Sequence, residues 1–404
     1  MKKILFISYD GMTDPLGQSQ VIPYLSGLSA KGYKVTLLSF EKKDRYNKFK
    51  EHIEVLLQNN NIEWAPQFFS SRPPFLSKLY DQWKMKRIAK RLHKQEKFEL
   101  IHCRSYVAAE TGLYLNSKYG IPFLFDMRGF WVDERVDNGQ WKLSNPFYKT
   151  LYKKYKKKES KYFEKSAHII SLTHTGKDEL VNAYKIPAAK VTVIPCCVDL
   201  QLFNYATIQY NQQEEKRKLL GLSGHEKVLS YLGSVGGSYL TDEMLQFFLV
   251  LKEKHREAKF LFITQNNKEE ILSKAAEKGL TPSEIIIQPA SRENVPLYLS
   301  LSDWSIFFYK DAYSRKACSP TKLGEIMAMG IPVICNDIGD TGQIVKDARA
   351  GIVVNGFTAT GYEEALASMQ HYPIEKNLIR EEAYKYFDLV AGINQYANVY
   401  HNIL

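Results

Sequence analysis

The stretch Cys318-Ser-Pro-Thr-Lys-Leu-Gly-Glu-Ile-Met-Ala-Met-Gly-Ile-Pro-Val-Ile-Cys335 decides how this chain reads. It spells a short helix punctuated at both ends and then a buried strand. Ser319 is the expected N-cap and Pro320 the expected first helical residue, Gly330 lies just past the end, and Pro332 opens the apolar run Val333-Ile334-Cys335. Lys322 stands in the first turn, where the helix dipole favours an anion. A cation there makes sense when a phosphate docks on the free N–H groups of Ser319–Thr321. Glu325, one turn on, can accept hydrogen bonds from sugar hydroxyls. The plainer alternative is a solvated i, i+3 ion pair between Lys322 and Glu325.

Outward from that stretch, short apolar runs alternate with helical patterns, the signature of parallel α/β sheets. Expected strands in the first half are 3–8, 34–40, 100–103, 122–126, 168–172 and 191–194. In the second half they are 228–232, 259–264, 284–288, 304–308, 332–335 and 351–354. A length of 404 residues exceeds one ordinary core, which argues for about two domains. The boundary falls where Val193–Phe203 leads into the polar segment Tyr205–Arg217, giving domains 1–200 and 201–385. The tail 386–404 carries Tyr386, Phe387, Leu389, Val390, Ile393, Tyr396, Val399, Tyr400 and Ile403 at roughly helical spacing.

Ligands of open α/β sheets collect beyond the carboxyl ends of strands, so the loops there carry the chemistry. After the first strand comes Asp10-Gly-Met-Thr-Asp-Pro-Leu-Gly-Gln-Ser-Gln20, where Gly17 lets backbone approach a phosphate and Gln18 opens a helix. The fourth strand ends in Phe125-Asp-Met-Arg-Gly-Phe-Trp-Val-Asp-Glu-Arg135. Arg128 cannot act as a base but can hold a phosphate or carboxylate. Asp126, Asp133 and Glu134 are candidates to orient or deprotonate an acceptor hydroxyl; the alternative is a salt-bridged loop. In the second half, Leu232-Gly-Ser-Val-Gly-Gly237 is a glycine-rich turn, with Gly233 and Ser234 as donor-binding candidates and Thr241 able to cap the next helix.

These segments resemble the retaining GT-B glycosyltransferases of the family-4-like type (glycosyl transferases group 1), in a bacterial polysaccharide branch. The resemblance rests on the Asp14-Pro-Leu-Gly-Gln-Ser-Gln20 loop, Asp126-Met-Arg-Gly129, the Val198-Asp-x-x-x-Phe203 connection and Ser319-Pro-x-Lys322 before Glu325. It implies two Rossmann-like domains facing a central cleft, an acceptor-binding first domain, a donor-binding second domain and a last helix returning to the first. The family's first donor-site glutamate is replaced by Ala317, and the usual arginine after the first glycine of the turn is Ser234. Lys322 is thereby left as the expected phosphate cation. Front-face attack through an oxocarbenium-like ion pair is the mechanism the resemblance implies.

Composition narrows the setting. Hydrophobic content of 45% with 25% charged residues is globular. No run reaches the roughly 20 apolar residues of a membrane span. The apolar core of Met1–Asp10 is too short for a signal peptide and reads as a buried strand. Five cysteines without a C-x-x-C pair suggest a reducing compartment and no zinc. No D-x-D motif occurs, so neither a metal nor a cofactor is expected; the nucleotide diphosphate sugar is substrate. Net charge of +11 calls for an anionic partner. Two basic helical runs, Pro73–His93 and Pro146–Lys161, interleave aromatics with lysines and suit an anionic membrane surface, the second more than the first. Nucleic acid is not expected, since no helix-turn-helix, RNA-binding sheet or zinc motif accompanies the charge.

The resemblance implies a retaining hexosyltransferase, and the absence of a D-x-D motif makes it an expected metal-independent one. It serves a cell-surface polysaccharide or lipid-linked saccharide from the cytoplasmic, inner face of the cell membrane. Two rivals stand beside it. One is a nucleotide-dependent dehydrogenase using Glu41 on a ribose, although G-x-G-x-x-G is absent. The other is a catalytically inactive membrane- or polyanion-binding protein of the same fold, kept alive by Ala317 and Ser234.

Overall fold

A computed structural model describes residues 1–70, 73–266 and 268–404. Among these described residues thirteen strands form two all-parallel sheets, one in each of two compact units. The first unit comprises Met1–Cys196, Ala312–Cys318 and Leu389–Leu404, and the second Cys197–Asp311 and Ser319–Asp388.

In the first unit the strands are β1 (Lys3–Ser8), β2 (Lys34–Glu41), β3 (Ile62–Phe68), β4 (Leu100–Arg104), β5 (Phe123–Asp126), β6 (His168–Ser171) and β7 (Val191–Val193), in the order β3-β2-β1-β4-β5-β6-β7. β3 is absent from the sequence reading. It is an edge strand carrying Glu63 and Pro66 with only Ile62 fully buried, so it lacks the apolar run that marks the central strands. Helices Pro74–Glu96, Ser105–Tyr119 and Pro146–Lys165 cover one face, packing Met85, Ala89, Ala108, Tyr162 and Phe163 onto Leu5, Ile101 and Phe123. The last helix, Leu389–Ile403, lies against Ile22–Ala30, where Gly27 leaves room for the Ile393 side chain.

In the second unit β8 (Val228–Leu232), β9 (Lys259–Ile263), β10 (Ile285–Gln288), β11 (Trp304–Phe307), β12 (Val333–Cys335) and β13 (Gly351–Val353) run in the order β10-β9-β8-β11-β12-β13. The six expected strands are all present. The decisive helix is Thr321–Ala328, so its N-cap is Pro320 rather than Ser319, and no side chain caps it. Thr241 likewise opens the helix Thr241–Lys254 instead of capping it. Gly330, at φ +65°, ends the turn as its position suggested.

In both sheets the strand order reverses direction next to the first strand of the unit, between β1 and β4 and between β8 and β11. Such reversal points open a crevice beyond the carboxyl ends of the strands.

Candidate active-site residues

In the second unit, the reversal point is occupied by Lys322. Only 7% of the residue is exposed, and its ammonium lies 3.8 Å from the Tyr239 ring centroid and 4.2 Å from that of Tyr231. Nζ donates to the Tyr231 hydroxyl at 3.1 Å, and that hydroxyl donates in turn to the Ser234 carbonyl. Aromatic faces stabilise a cation through the negative face of the ring quadrupole. Gly233, at φ +120°, brings the turn directly over the amine. Gly233, Ser234, Thr321 and Lys322, four of the donor-binding candidates, are thus drawn together. Tyr231, Tyr239 and Tyr309, whose hydroxyl donates to Tyr239 at 2.9 Å, were not foreseen. Tyr239 had no motif to flag it, because only the return of the turn toward β11 brings it over Lys322.

Glu325 does not pair with Lys322. Its carboxylate accepts from Arg292 at 2.9 Å, and the Arg292 guanidinium stacks over Phe203. Arg292 lies in a short turn before Val295–Leu299 and carried no motif.

In the first unit, the reversal point holds a buried charged cluster. Arg104, ending β4, reaches Asp10 at 3.0 Å. Asp126, ending β5, accepts from the Tyr396 hydroxyl at 3.2 Å, with Arg128 at 3.7 Å and His102 at 3.5 Å. His102 Nδ1 meets the Tyr400 hydroxyl at 2.6 Å. Burial alone would raise the Asp126 pKa, but Arg128, His102 and Arg104 outweigh it and hold it below the usual carboxylate value. Burial lowers the pKa of His102, against a smaller opposing effect of Asp126, so its ring is neutral at pH 7. Burial and the neighbouring Arg128 lower that of Arg104. Arg128 adopts φ +59°, a strained conformation for a non-glycine residue, and also donates to Cys196 Sγ at 3.2 Å.

The other first-unit candidates are used differently. Asp133 accepts from Tyr152 at 2.8 Å and Lys156 at 2.9 Å. Glu134 binds Arg315, and Asp137 accepts the Ser314 N–H, so this loop anchors the segment Ala312–Cys318. Ala317 is fully buried there, its side chain directed at Gly176. Gly17 lies within the helix Pro15–Gln20, packed so tightly on Gly11 and Met12 that an added Cβ would fall 2.3 Å from the Gly11 carbonyl. Gln18 donates to the Thr13 carbonyl at 3.3 Å. Glu41 is buried and accepts from the Met12 and Thr13 N–H groups and from the Thr13 and Ser39 hydroxyls. It fastens the first loop and is not presented to a ribose.

Among the described residues no group of His, Cys, Asp or Glu is arranged to hold a metal ion, and no helix is long and apolar enough to cross a membrane. All five cysteines are unbridged.

Two family models fit consecutive parts of the chain: Glycosyltransferase Family 4 over residues 19–202 and Glycosyl transferases group 1 over residues 212–386. The chain belongs to the GT-B glycosyltransferases. It is similar in structure to a glycosyltransferase from Rickettsia africae, with a TM-score of 0.72 at 15% identity, covering 100% of this chain and 98% of that one. It also matches HepE of Anabaena in complex with UDP and glucose, with a TM-score of 0.69 at 13% identity over 99% of this chain and 100% of that one. In sequence, a D-inositol 3-phosphate glycosyltransferase from Thermobispora bispora is 19% identical over 70% of this chain and 64% of its own length. The chain spans less than two thirds of the length of this and other D-inositol 3-phosphate glycosyltransferases that it matches.

Proposed function

We propose that this GT-B glycosyltransferase moves a hexose from a nucleotide diphosphate sugar to a cell-surface polysaccharide or lipid-linked saccharide, with retained anomeric configuration and without a metal. The observation that carries the reading is the Lys322 ammonium, held by Tyr231 and Tyr239 beneath Gly233 at the second sheet's reversal point. A buried cation with a helix N-terminus beside it suits a diphosphate. The HepE complex, with its UDP and glucose, supports a nucleotide-sugar donor for this fold.

In the proposed reaction, the bond from the anomeric carbon to the diphosphate oxygen breaks ahead of bond formation. The departing diphosphate is stabilised by Lys322 and the N–H groups opening the helix Thr321–Ala328. The acceptor hydroxyl attacks on the same face, and its proton passes to the departing phosphate oxygen. Glu325, oriented by Arg292, accepts from donor hydroxyls. Asp126, with its lowered pKa, is a weak base and is assigned to holding Arg128, whose charge serves an anionic group of donor or acceptor. The dehydrogenase reading loses Glu41, which is enclosed by the first loop. Acceptor transfer on a lipid carrier would place the protein at the inner face of the cell membrane.

A panel of nucleotide sugars tested for thermal stabilisation and then for transfer examines this reading. Glu325→Gln should impair transfer without unfolding the protein, and activity should persist in excess EDTA. Wild-type transfer by the variant removes the donor-site assignment, and loss on chelation restored by magnesium removes metal independence. Donor binding without transfer to any acceptor favours the inactive alternative.

A further inference from the structure

The helix Pro74–Glu96 turns Ser77, Asp81, Met85, Ile88 and Ala89 onto the first unit. On its opposite side Leu76, Leu79, Tyr80 and Trp83 are 60%, 53%, 53% and 52% exposed. Their spacing of i, i+3, i+4 and i+7 puts them within an arc of about 100°, over about 10 Å of the axis. Single exposed apolar residues are ordinary, but a contiguous stripe containing a tryptophan marks a contact surface.

The same face continues toward the helix C-terminus as Arg87, Lys90, Arg91 and Lys94, with the Arg87 guanidinium 5.2 Å from the Trp83 ring centroid. Neither acid of this helix opposes them. Asp81 is buried and accepts from the Tyr9 hydroxyl at 2.6 Å, and Glu96, at the far end, pairs with Lys3 and Lys34. An apolar stripe running into unopposed cations differs from a protein-binding patch, whose centre is depleted in charge. It matches a bilayer with anionic headgroups.

We propose that this face docks on an anionic lipid bilayer, with Leu76, Leu79, Tyr80 and Trp83 entering the boundary between headgroups and acyl chains and the following cations on lipid phosphates. The proposal rests on the lipid-linked acceptor suggested above and names the surface that meets the membrane. It moves that role away from the lysine run of Pro146–Lys165, where Lys156 is held by Asp133 and Glu159 and Lys158 by Glu110. Lys86 reaches Glu110 as well, so the two basic helices flank Ser105–Tyr119 in one layer. The exposed Lys149, Lys153, Lys154 and Lys157 are an electrostatic fringe to the stripe.

Co-sedimentation of the full chain with phosphatidylcholine vesicles carrying graded phosphatidylglycerol tests this. Wild-type binding should rise with phosphatidylglycerol and fall with salt. The triple variant Leu79→Ser, Tyr80→Ser, Trp83→Ser should lose binding by about tenfold or more at every composition. The variant Arg87→Gln, Arg91→Gln, Lys94→Gln should need more phosphatidylglycerol for equal binding. Both should keep the wild-type melting temperature and nucleotide-sugar binding. Absence of wild-type binding to any vesicle overturns the proposal, as does equal binding by the triple variant. Loss only in a Lys149→Gln, Lys153→Gln, Lys154→Gln, Lys157→Gln variant overturns it in favour of the neighbouring helix. A wild-type dimer that the triple variant dissolves, without vesicle binding, overturns it in favour of a second copy of the chain. Vesicle binding without sugar transfer refutes the transferase reading alone, and transfer to a soluble acceptor without vesicle binding refutes this proposal alone.

Discussion

A Cβ placed on Gly233 would stand 2.9 Å from Lys322 Nζ, so the turn after β8 and the helix Thr321–Ala328 are fitted to each other through one amine. The fit concerns both partners. At φ +120° the glycine conformation strains any L side chain by about 1–3 kcal/mol. The methyl group would also push the ammonium out of its place between Tyr231 and Tyr239.

Gly233→Ala should therefore weaken nucleoside diphosphate binding by tenfold or more. Lys322→Met keeps the apolar stem and removes the charge. Loss of a charge-assisted contact of about 1.5–3 kcal/mol corresponds to roughly 10–100-fold in affinity, with little change in melting temperature. Calorimetric titration with nucleoside diphosphates checks both variants, and undiminished affinity in the pair would remove the diphosphate from this site.

Restoring the family's missing glutamate by Ala317→Glu should destabilise the protein rather than improve it. The Ala317 side chain has no exposure, and an added Cβ on Gly176 would already lie 2.9 Å from its Cβ. An unpaired charge in that space costs about 3 kcal/mol or more. Denaturant unfolding is the measurement; a variant as stable as the wild type with faster transfer would mean that the site accepts the carboxylate after all.

The lysines of Pro146–Lys165 should separate into two classes. Lys156→Gln strands the Asp133 and Glu159 carboxylates, and because the lysine is partly exposed the cost is discounted to roughly 2 kcal/mol. Lys153→Gln and Lys157→Gln, on the exposed side, should fall within about 0.5 kcal/mol of wild type. Equal stability of all three variants would contradict the buried ion network.

Stability should fall as pH drops from 7 to 5. The unfolded chain takes up a proton at His102 near pH 6.5, whereas burial lowers the folded pKa and the native ring stays neutral. The contribution is present above the unfolded value and is lost as pH falls toward the folded one. Burial acts in the same direction on His93 and His168. His102→Asn should make the slope shallower without abolishing it, as read from denaturant midpoints across that range. Coincident slopes would show that His102 titrates normally. Below about pH 4, protonation of Asp126, whose folded pKa is lowered despite burial, should add a second loss.

The central strands were legible because a parallel strand covered on both faces must be apolar along its length, as in Ile4–Ile7 and Val333–Cys335. β3 was not, because an edge strand can carry Glu63 and Pro66 at little cost. In the site, Lys322 stood out as a cation against the helix dipole, and Arg128 as a charge at a strand end. Their surroundings did not stand out. Tyr239 and Arg292 reach Lys322 and Glu325 only through sheet order, which local spacing does not encode. Glu41 misled for a related reason. A carboxylate ending a strand serves equally to bind a ribose or to fasten a loop, and only the Met12 and Thr13 N–H groups turned back upon it decide which.

The chain passes between the units at Cys196–Cys197, Asp311–Ala312, Cys318–Ser319 and Asp388–Leu389, so neither unit is one continuous length of polypeptide. That arrangement sets an order for biosynthesis. A nascent chain that has left the ribosome as far as Lys190 already contains Asp10, His102, Arg104, Asp126 and Arg128. It still lacks Tyr396 and Tyr400, whose hydroxyls meet Asp126 and His102. The polar cluster is completed only when Leu389–Ile403 has emerged, after every strand of both sheets has been made.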